Sequence, residues 1–329
     1  MIKKLKNYCD KIGNSFDLFQ ASGGNISVKT KKYIYIKSSG TSIIEKKFSK
    51  LPLVDSRKKI FKSISNNCKK KLVYQFGKPS MEVSFHVLLK KKIIFHAHYI
   101  DLISWTVDIE KRSELIDIIK KNKFEFIPYV SPGIKLAKKI SPLQKNSNQI
   151  FILENHGVII TGDTFDEIDS QLNKLKKIFK INKQKKINYF NFKSIYEYSR
   201  NYNFKLPSSK LIHNLAFKKN INFFEKDIMF PDQIVFVKDY YIFKNVLDFR
   251  KNFKNKTKYE DIKIIIIKNL GVFFYGSILK KKYLNEMLLC LYLITIKISN
   301  LKNIKKLKKN DINEIRYSEE EKYRQNLEI

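Results

Sequence analysis

The chain has 329 residues, 43% of them hydrophobic and 13% aromatic, which is enough to bury a substantial core and too apolar for a disordered segment. Its formal charge of +35 invites a nucleic-acid reading, yet only six of the 66 basic residues are arginine and the lysines run through every segment. A diffuse lysine excess without the arginine forks that read bases and phosphates predicts solubility and nonspecific association, with no specific nucleic-acid partner. Three distant cysteines, Cys9, Cys68 and Cys290, make no disulfide framework and no C-x-x-C, so a reducing compartment is expected. The first ten residues lack the apolar core of a secretory signal, and the longest apolar run, Met287 to Ile298, is too short to span a bilayer. The expectation is a cytoplasmic protein without a membrane partner.

In chain order, Ile2, Leu5, Tyr8, Cys9 and Ile12 recur at helical spacing and stop at Gly13, predicting a first helix. Ala21-Ser22-Gly23-Gly24-Asn25 then reads as a Gly-rich turn entering a strand. Consecutive glycines let successive backbone N–H groups converge on an anion. A second small-residue loop, Ser38 to Ser42, follows a predicted strand over Tyr33 to Lys37. Ordinary turns use the same residues, but two such loops upstream of a histidine cluster suggest a phosphate beside a metal.

The stretch from Met81 to Lys91 reads as a helix packed on the next strand, with Glu82 in its first turn, where the helix dipole favours a carboxylate. Ile93-Ile94-Phe95-His96-Ala97-His98 is β-branched and aromatic and reads as a buried strand. Strand side chains alternate faces, so His96 and His98 point the same way and can both reach one tetrahedral ion. Of the five histidines, a third candidate ligand, His156, lies in a turn between two apolar runs, 149–153 and 158–161. A lone H-x-H is as often a core feature as a metal site, but three histidines with an open fourth position match the catalytic zinc pattern.

Beyond these, 163–180 reads as a helix capped by Asp163 or Thr164. Residues 1–185 then form the metal domain and 186–206, rich in Asn and Tyr, a linker. Ile264 to Val272 echoes Ile150 to Val158, with Leu270 where His156 stands, so 207–302 reads as a degenerate, metal-free α/β companion. Residues 303–329 read as a charged tail carrying a solvated helix.

Five motifs now stand in a fixed order: Gly23-Gly24-Asn25-Ile26-Ser27, Ser39-Gly40, Pro79-Ser80-Met81-Glu82, His96-x-His98 and Asn155-His156-Gly157. In that order and at those intervals they resemble the class II aldolase/adducin family. Tyr129-Val130-Ser131-Pro132-Gly133 with Leu136-Ala137-Lys138 is most similar to the aldolase part of bifunctional rhamnulose-phosphate aldolase/alcohol dehydrogenases. The likeness covers roughly residues 15 to 300 and is densest before 165.

That resemblance implies an α/β fold of three layers around a central, mainly antiparallel sheet. It implies zinc or another divalent metal on His96, His98 and His156, with Glu82 as the catalytic carboxylate. Gly24, Asn25, Ser39, Gly40 and Ser80 match positions that hold a substrate phosphate, and Tyr129 a position near the active site. The implied activity is carbon–carbon cleavage of a keto-sugar, as its phosphate, in a homo-oligomer. Met81 departs from the Pro-Ser-Ser-Glu of many family aldolases and removes one phosphate-binding hydroxyl. Family epimerases generally carry Asp at the place of Glu82, and adducin-like heads lack the histidines; a decarboxylase or dehydratase stays open. No G-x-G-x-x-G occurs and the sequence stops at Ile329 before any dehydrogenase part, so no nicotinamide cofactor is expected.

Overall fold

The computed structural model describes residues 1–66, 71–147, 149–182, 191–217, 220–254, 259–276, 281–319 and 321; Cys68 and Ile329, named above, lie outside the described residues. Strands β1 (Asn25–Lys29), β2 (Tyr33–Lys37), β3 (Phe48–Pro52), β4 (Ile93–Ala97), β5 (Glu125–Ile127), β6 (Ile150–Leu153) and β7 (Gly157–Gly162) form a seven-stranded sheet in the order β3-β2-β1-β4-β7-β6-β5. All pairings are antiparallel except β5 with β6.

The period-two pattern of β4 is what splits the core into two layers. Ile93, Phe95 and Ala97 join the apolar cluster under α1 (Ile2–Ile12), α4 (Ile100–Val107), α5 (Arg112–Asn122) and α7 (Phe165–Phe179). Ile94 joins the opposite cluster, under α2 (Leu53–Asn66), α3 (Val83–Leu88) and α6 (Ile134–Ile140). Each large apolar side chain buried this way stabilises the fold by about 1.5–3 kcal/mol, which is what a strand covered on both faces supplies. The three-layer α/β architecture expected from the sequence is present. At the start of α7 the Thr164 hydroxyl accepts from the Glu167 amide at 3.2 Å and the Glu167 carboxylate accepts from the Thr164 amide, a reciprocal cap.

Helix α3 is shorter than the predicted 81–91, and Glu82 stands just before it, at the N-cap position and without a capping hydrogen bond, rather than in its first turn. Pro79 bridges to Ser38 and the Ser80 amide donates to the Lys37 carbonyl, which holds the approach extended. At the other end the buried Lys29 ammonium takes the carbonyls of Leu89 and Lys91, drawing the chain out of the helix.

The second half carries α8 (Phe192–Tyr202), α9 (Asn222–Glu225), α10 (Pro231–Phe236), α11 (Val246–Asn252), α12 (Lys281–Lys297), α13 (Lys309–Arg316) and a three-stranded sheet. In that sheet β8 (Tyr240–Phe243) lies parallel to β9 (Ile264–Ile267), and β9 antiparallel to β10 (Gly271–Phe274). This is the pairing scheme of β5, β6 and β7 over again.

Two expectations fail here. Most of the described part of the expected linker is helix α8: its Tyr- and Asn-rich composition hides Ile195 and Tyr198 at helical spacing, and both are buried against the second sheet. The expected tail is not solvated throughout. Ile304 packs in the core that the two halves share, and Leu307 and Ile315 pack with Ile234 and Val235 of α10. The halves share that core because α12 lies on α4, with Ile100, Ile103 and Val107 among Met287, Leu288 and Leu291. No helix among the described residues is long and apolar enough to cross a membrane.

Candidate metal centre

His96 and His98 leave β4 two residues apart and, as alternation requires, turn their rings to one place. There they meet His156, from the turn between β6 and β7, with ring centroids 4.9, 4.9 and 5.0 Å apart. The hydrogen bonds of the outer nitrogens assign the tautomers. His96 Nδ1 donates to the Val158 carbonyl at 2.9 Å, and His98 Nδ1 lies 2.7 Å from Asp232 Oδ2. In the neutral rings both Nε2 atoms are then lone pairs, and they face each other at 3.1 Å. Glu82 Oε2 stands 3.2 Å from His96 Nε2, and Glu82 Oε1, buried and without a hydrogen-bond donor, stands 3.5 Å from His156 Nε2. Acceptors converging on one point repel one another unless a cation sits among them. One ligand atom from each of Glu82, His96, His98 and His156 lies within 4.8 Å of all the others, and all four residues are buried.

Glu82 is held from beneath by a chain of hydrogen bonds. Ser27 Oγ meets His86 Nδ1 at 2.8 Å, His86 Nε2 donates to Asn25 Oδ1, and Asn25 Nδ2 donates to Glu82 Oε2 at 2.8 Å and to Ser80 Oγ at 3.2 Å. Burial pushes the His86 pKa well below its ordinary value, so the ring stays neutral and the carboxamide keeps its orientation. Sequence reading assigns His86 no role; its i, i+4 spacing from Glu82 across the first turn of α3 is a signal that could have found it. Gly157 permits the turn that carries His156: at φ 148° any Cβ would lie 2.2 Å from the Ala97 carbonyl oxygen.

The second half of the chain closes the site. Its pocket is lined on one side by Ser22, Gly24, Asn25, Ser80, Met81 and Glu82, with His98 and His156, and on the other by Pro231, Asp232, Val235 and Ile315. Ser39 and Gly40 are not in that lining: the Ser39 amide is spent on the Lys78 carbonyl at 2.8 Å. The two small-residue loops are nonetheless joined, because the buried Lys37 ammonium donates to the carbonyls of Ser22 (2.8 Å) and Thr41 (2.6 Å). Tyr129 also lies outside the lining and packs with Ile234, Val235, Leu307 and Ile315, its hydroxyl buried without a partner.

A model of the class II aldolase and adducin N-terminal domain matches residues 3–182, more than half of the chain. The chain belongs to the class II aldolase/adducin family. Its relatives include the uncharacterized oxidoreductase YuxG of Bacillus subtilis, 26% identical over half of this chain and 27% of that protein. A 3-oxo-tetronate 4-phosphate decarboxylase of Haemophilus influenzae is 29% identical over 34% of this chain and 60% of its own length. An L-fuculose phosphate aldolase of Methanococcus maripaludis is 28% identical over 49% of this chain and 84% of its own length. The chain thus spans about a quarter of the first of these relatives and under two thirds of the second.

For a member of the class II aldolase/adducin family the donor set fits a divalent cation, since three neutral imidazoles and one ionised carboxylate are its ordinary ligands. Burial pushes the Glu82 carboxyl up, but positive charge on the rings of His96 and His156 outweighs it and holds the group well below the usual carboxylate range. Burial drives His156 down to about 3, which keeps the ring neutral at neutral pH. Burial also lowers His98, but the Asp232 carboxylate overrides it and the pKa is raised. A metal entering at Nε2 of that ring therefore competes with a proton.

Proposed function

We propose that this protein is a zinc-dependent lyase of the class II aldolase type that breaks or forms a carbon–carbon bond in a keto-sugar, taken as its phosphate. The observation that carries the reading is the convergence of one ligand atom each from His96, His98, His156 and Glu82, all within 4.8 Å of one another, beside a pocket. His96, His98 and His156 hold the ion, which when bound supplies Lewis-acid stabilisation to the oxygens of a donor enediolate. Glu82 is the general acid/base. Ionised at neutral pH and oriented by Asn25, it takes a proton from the donor carbon and returns it. Gly24, Asn25 and Ser80, which line the pocket beside it, bind the remote phosphate and so orient the reacting carbon. Ser39 and Gly40 stand in the loop that Lys37 ties to the first through the Thr41 and Ser22 carbonyls, and Tyr129 acts through its packing. We assign 207–302 as a metal-free repeat of the β5–β7 unit. A cytoplasmic homo-oligomer completes the reading.

A decarboxylase of a keto-sugar phosphate is the second reading, favoured by the likeness to the decarboxylase above and by the same chemistry: loss of CO2 beside a carbonyl leaves the same enediolate. An adducin-like binding role is disfavoured by the retained Glu82 and three histidines. The test begins with metal analysis of protein purified without chelators. About one zinc per chain, lost in His96→Ala, is expected. Glu82→Gln should keep the metal and lose turnover of ketose phosphates; turnover at the parent rate in that variant overturns the acid/base assignment. Aldehyde release separates the lyase from the decarboxylase, which releases CO2.

A further inference from the structure

We infer that the second half of the chain is a working part of the metal centre, with Asp232 as the positioning residue that fixes His98. This rests on the reading that the three histidines hold a metal. Asp232 stands in the first turn of α10, in a segment no motif of the first half contains. Its carboxylate is buried, lines the pocket, and lies 2.7 Å from His98 Nδ1, on the side of the ring opposite the Nε2 that faces His96. A carboxylate on the outer nitrogen locks the tautomer and ring orientation and makes Nε2 a better donor.

The surroundings are shaped around that contact. A Cβ on Gly23 would come within 2.5 Å of Asp232 Oδ2 and 2.6 Å of His98 Nδ1, so only glycine leaves the two groups room to meet. The second half also grips the turn that presents His156: Asn155 Nδ2 donates to the carbonyls of Met229 at 2.7 Å and Lys305 at 2.8 Å. Two of the three imidazoles are thus oriented by residues 229–305.

The test is zinc affinity by chelator competition, with cobalt(II) absorption spectra as the ligand-field readout, on the full chain. Asp232→Ala should weaken zinc binding about 10- to 100-fold and shift the cobalt bands. Asp232→Asn, which keeps an acceptor and loses the charge, should fall between. Asp227→Asn breaks the neighbouring ion pair to Lys306 (2.6 Å) without touching a ligand, and should bind zinc as the parent does. Parent-like affinity and spectra in both Asp232 variants overturn the inference and leave the metal reading standing, as does equal weakening by Asp227→Asn. A parent chain that takes up neither zinc nor cobalt removes both readings. Metal-free melting curves of each variant separate a lost ligand support from a lost fold.

Discussion

At the turn from β6 to β7 the chain runs Leu153-Glu154-Asn155-His156-Gly157; from β9 to β10 it runs Ile267-Lys268-Asn269-Leu270-Gly271. The backbones agree closely. Each Asn is left-handed, at φ 57° and 60°, and in each turn the fourth amide donates to the first carbonyl, at 3.2 and 3.0 Å. What differs is the neighbourhood. The strand β7 pairs with β4 and so brings His156 beside His96 and His98, whereas β10 is the edge of its sheet. Behind the second turn the one nearby imidazole, His213, is committed to the fold, its Nδ1 accepting from the Val272 amide at 3.2 Å. The turn is therefore a structural device that works without a ligand, and the centre exists only where a second strand aims imidazoles at it.

Exchanging features between the two turns tests this. Writing the second turn's residue into the first, His156→Leu, should remove a third of the ligand set and lower zinc affinity by more than about 100-fold while the fold persists. Equilibrium dialysis against a chelator checks it, and near-parent affinity would mean His156 is not a ligand. Asn155→Ala should cost about 2 kcal/mol, because it leaves the buried Met229 carbonyl and the part-buried Lys305 carbonyl without this donor, while Asn269→Ala, at an exposed residue, should cost about 1 kcal/mol or less from the left-handed backbone alone. Urea unfolding of the two variants compares them directly.

Acid should find the second unit through His213. Burial lowers its pKa to about 4, so the unfolded chain takes up the proton first as pH falls below about 6.5. Stability contributed by the neutral ring is present above that pH and is lost at about 1.4 kcal/mol per pH unit down to about 4, where the folded state also protonates. His213→Gln should flatten that part of the stability profile; an unchanged slope contradicts the assignment. The smallest effect is expected of Leu270→His. It adds an imidazole with no partner on an adjoining strand, and zinc stoichiometry should not change.

The parts of this molecule legible in the sequence were those set by local period. Alternation along Ile93–His98 aims both histidines to one side, and the reciprocal cap at Thr164 and Glu167 starts α7 where its residues say it should. The residues that stayed hidden act across the chain. Asp232 reaches His98 only because α10 folds back over the Gly23 loop, and nothing in Phe230-Pro231-Asp232-Gln233 announces that approach. His86 and Lys37 read as core and surface residues until their partners are known. Ser39 and Gly40 lie in a loop of the right composition, and the amide of Ser39 is consumed by a backbone bond that composition does not disclose.

The clasp between Asn155 and Lys305 joins residues 150 positions apart, and Tyr8 meets Asp169 across 161. Contacts so distant in sequence make folding slow, and synthesis delivers them in order. The seven-stranded sheet has all its strands by residue 162, so it can assemble on the ribosome while α10 and Lys305 are still unmade. Until those residues arrive, Asp232 has not met His98 and Asn155 lacks the carbonyls of Met229 and Lys305. The order of synthesis thus leaves the residues that meet His98 and Asn155 to be added last.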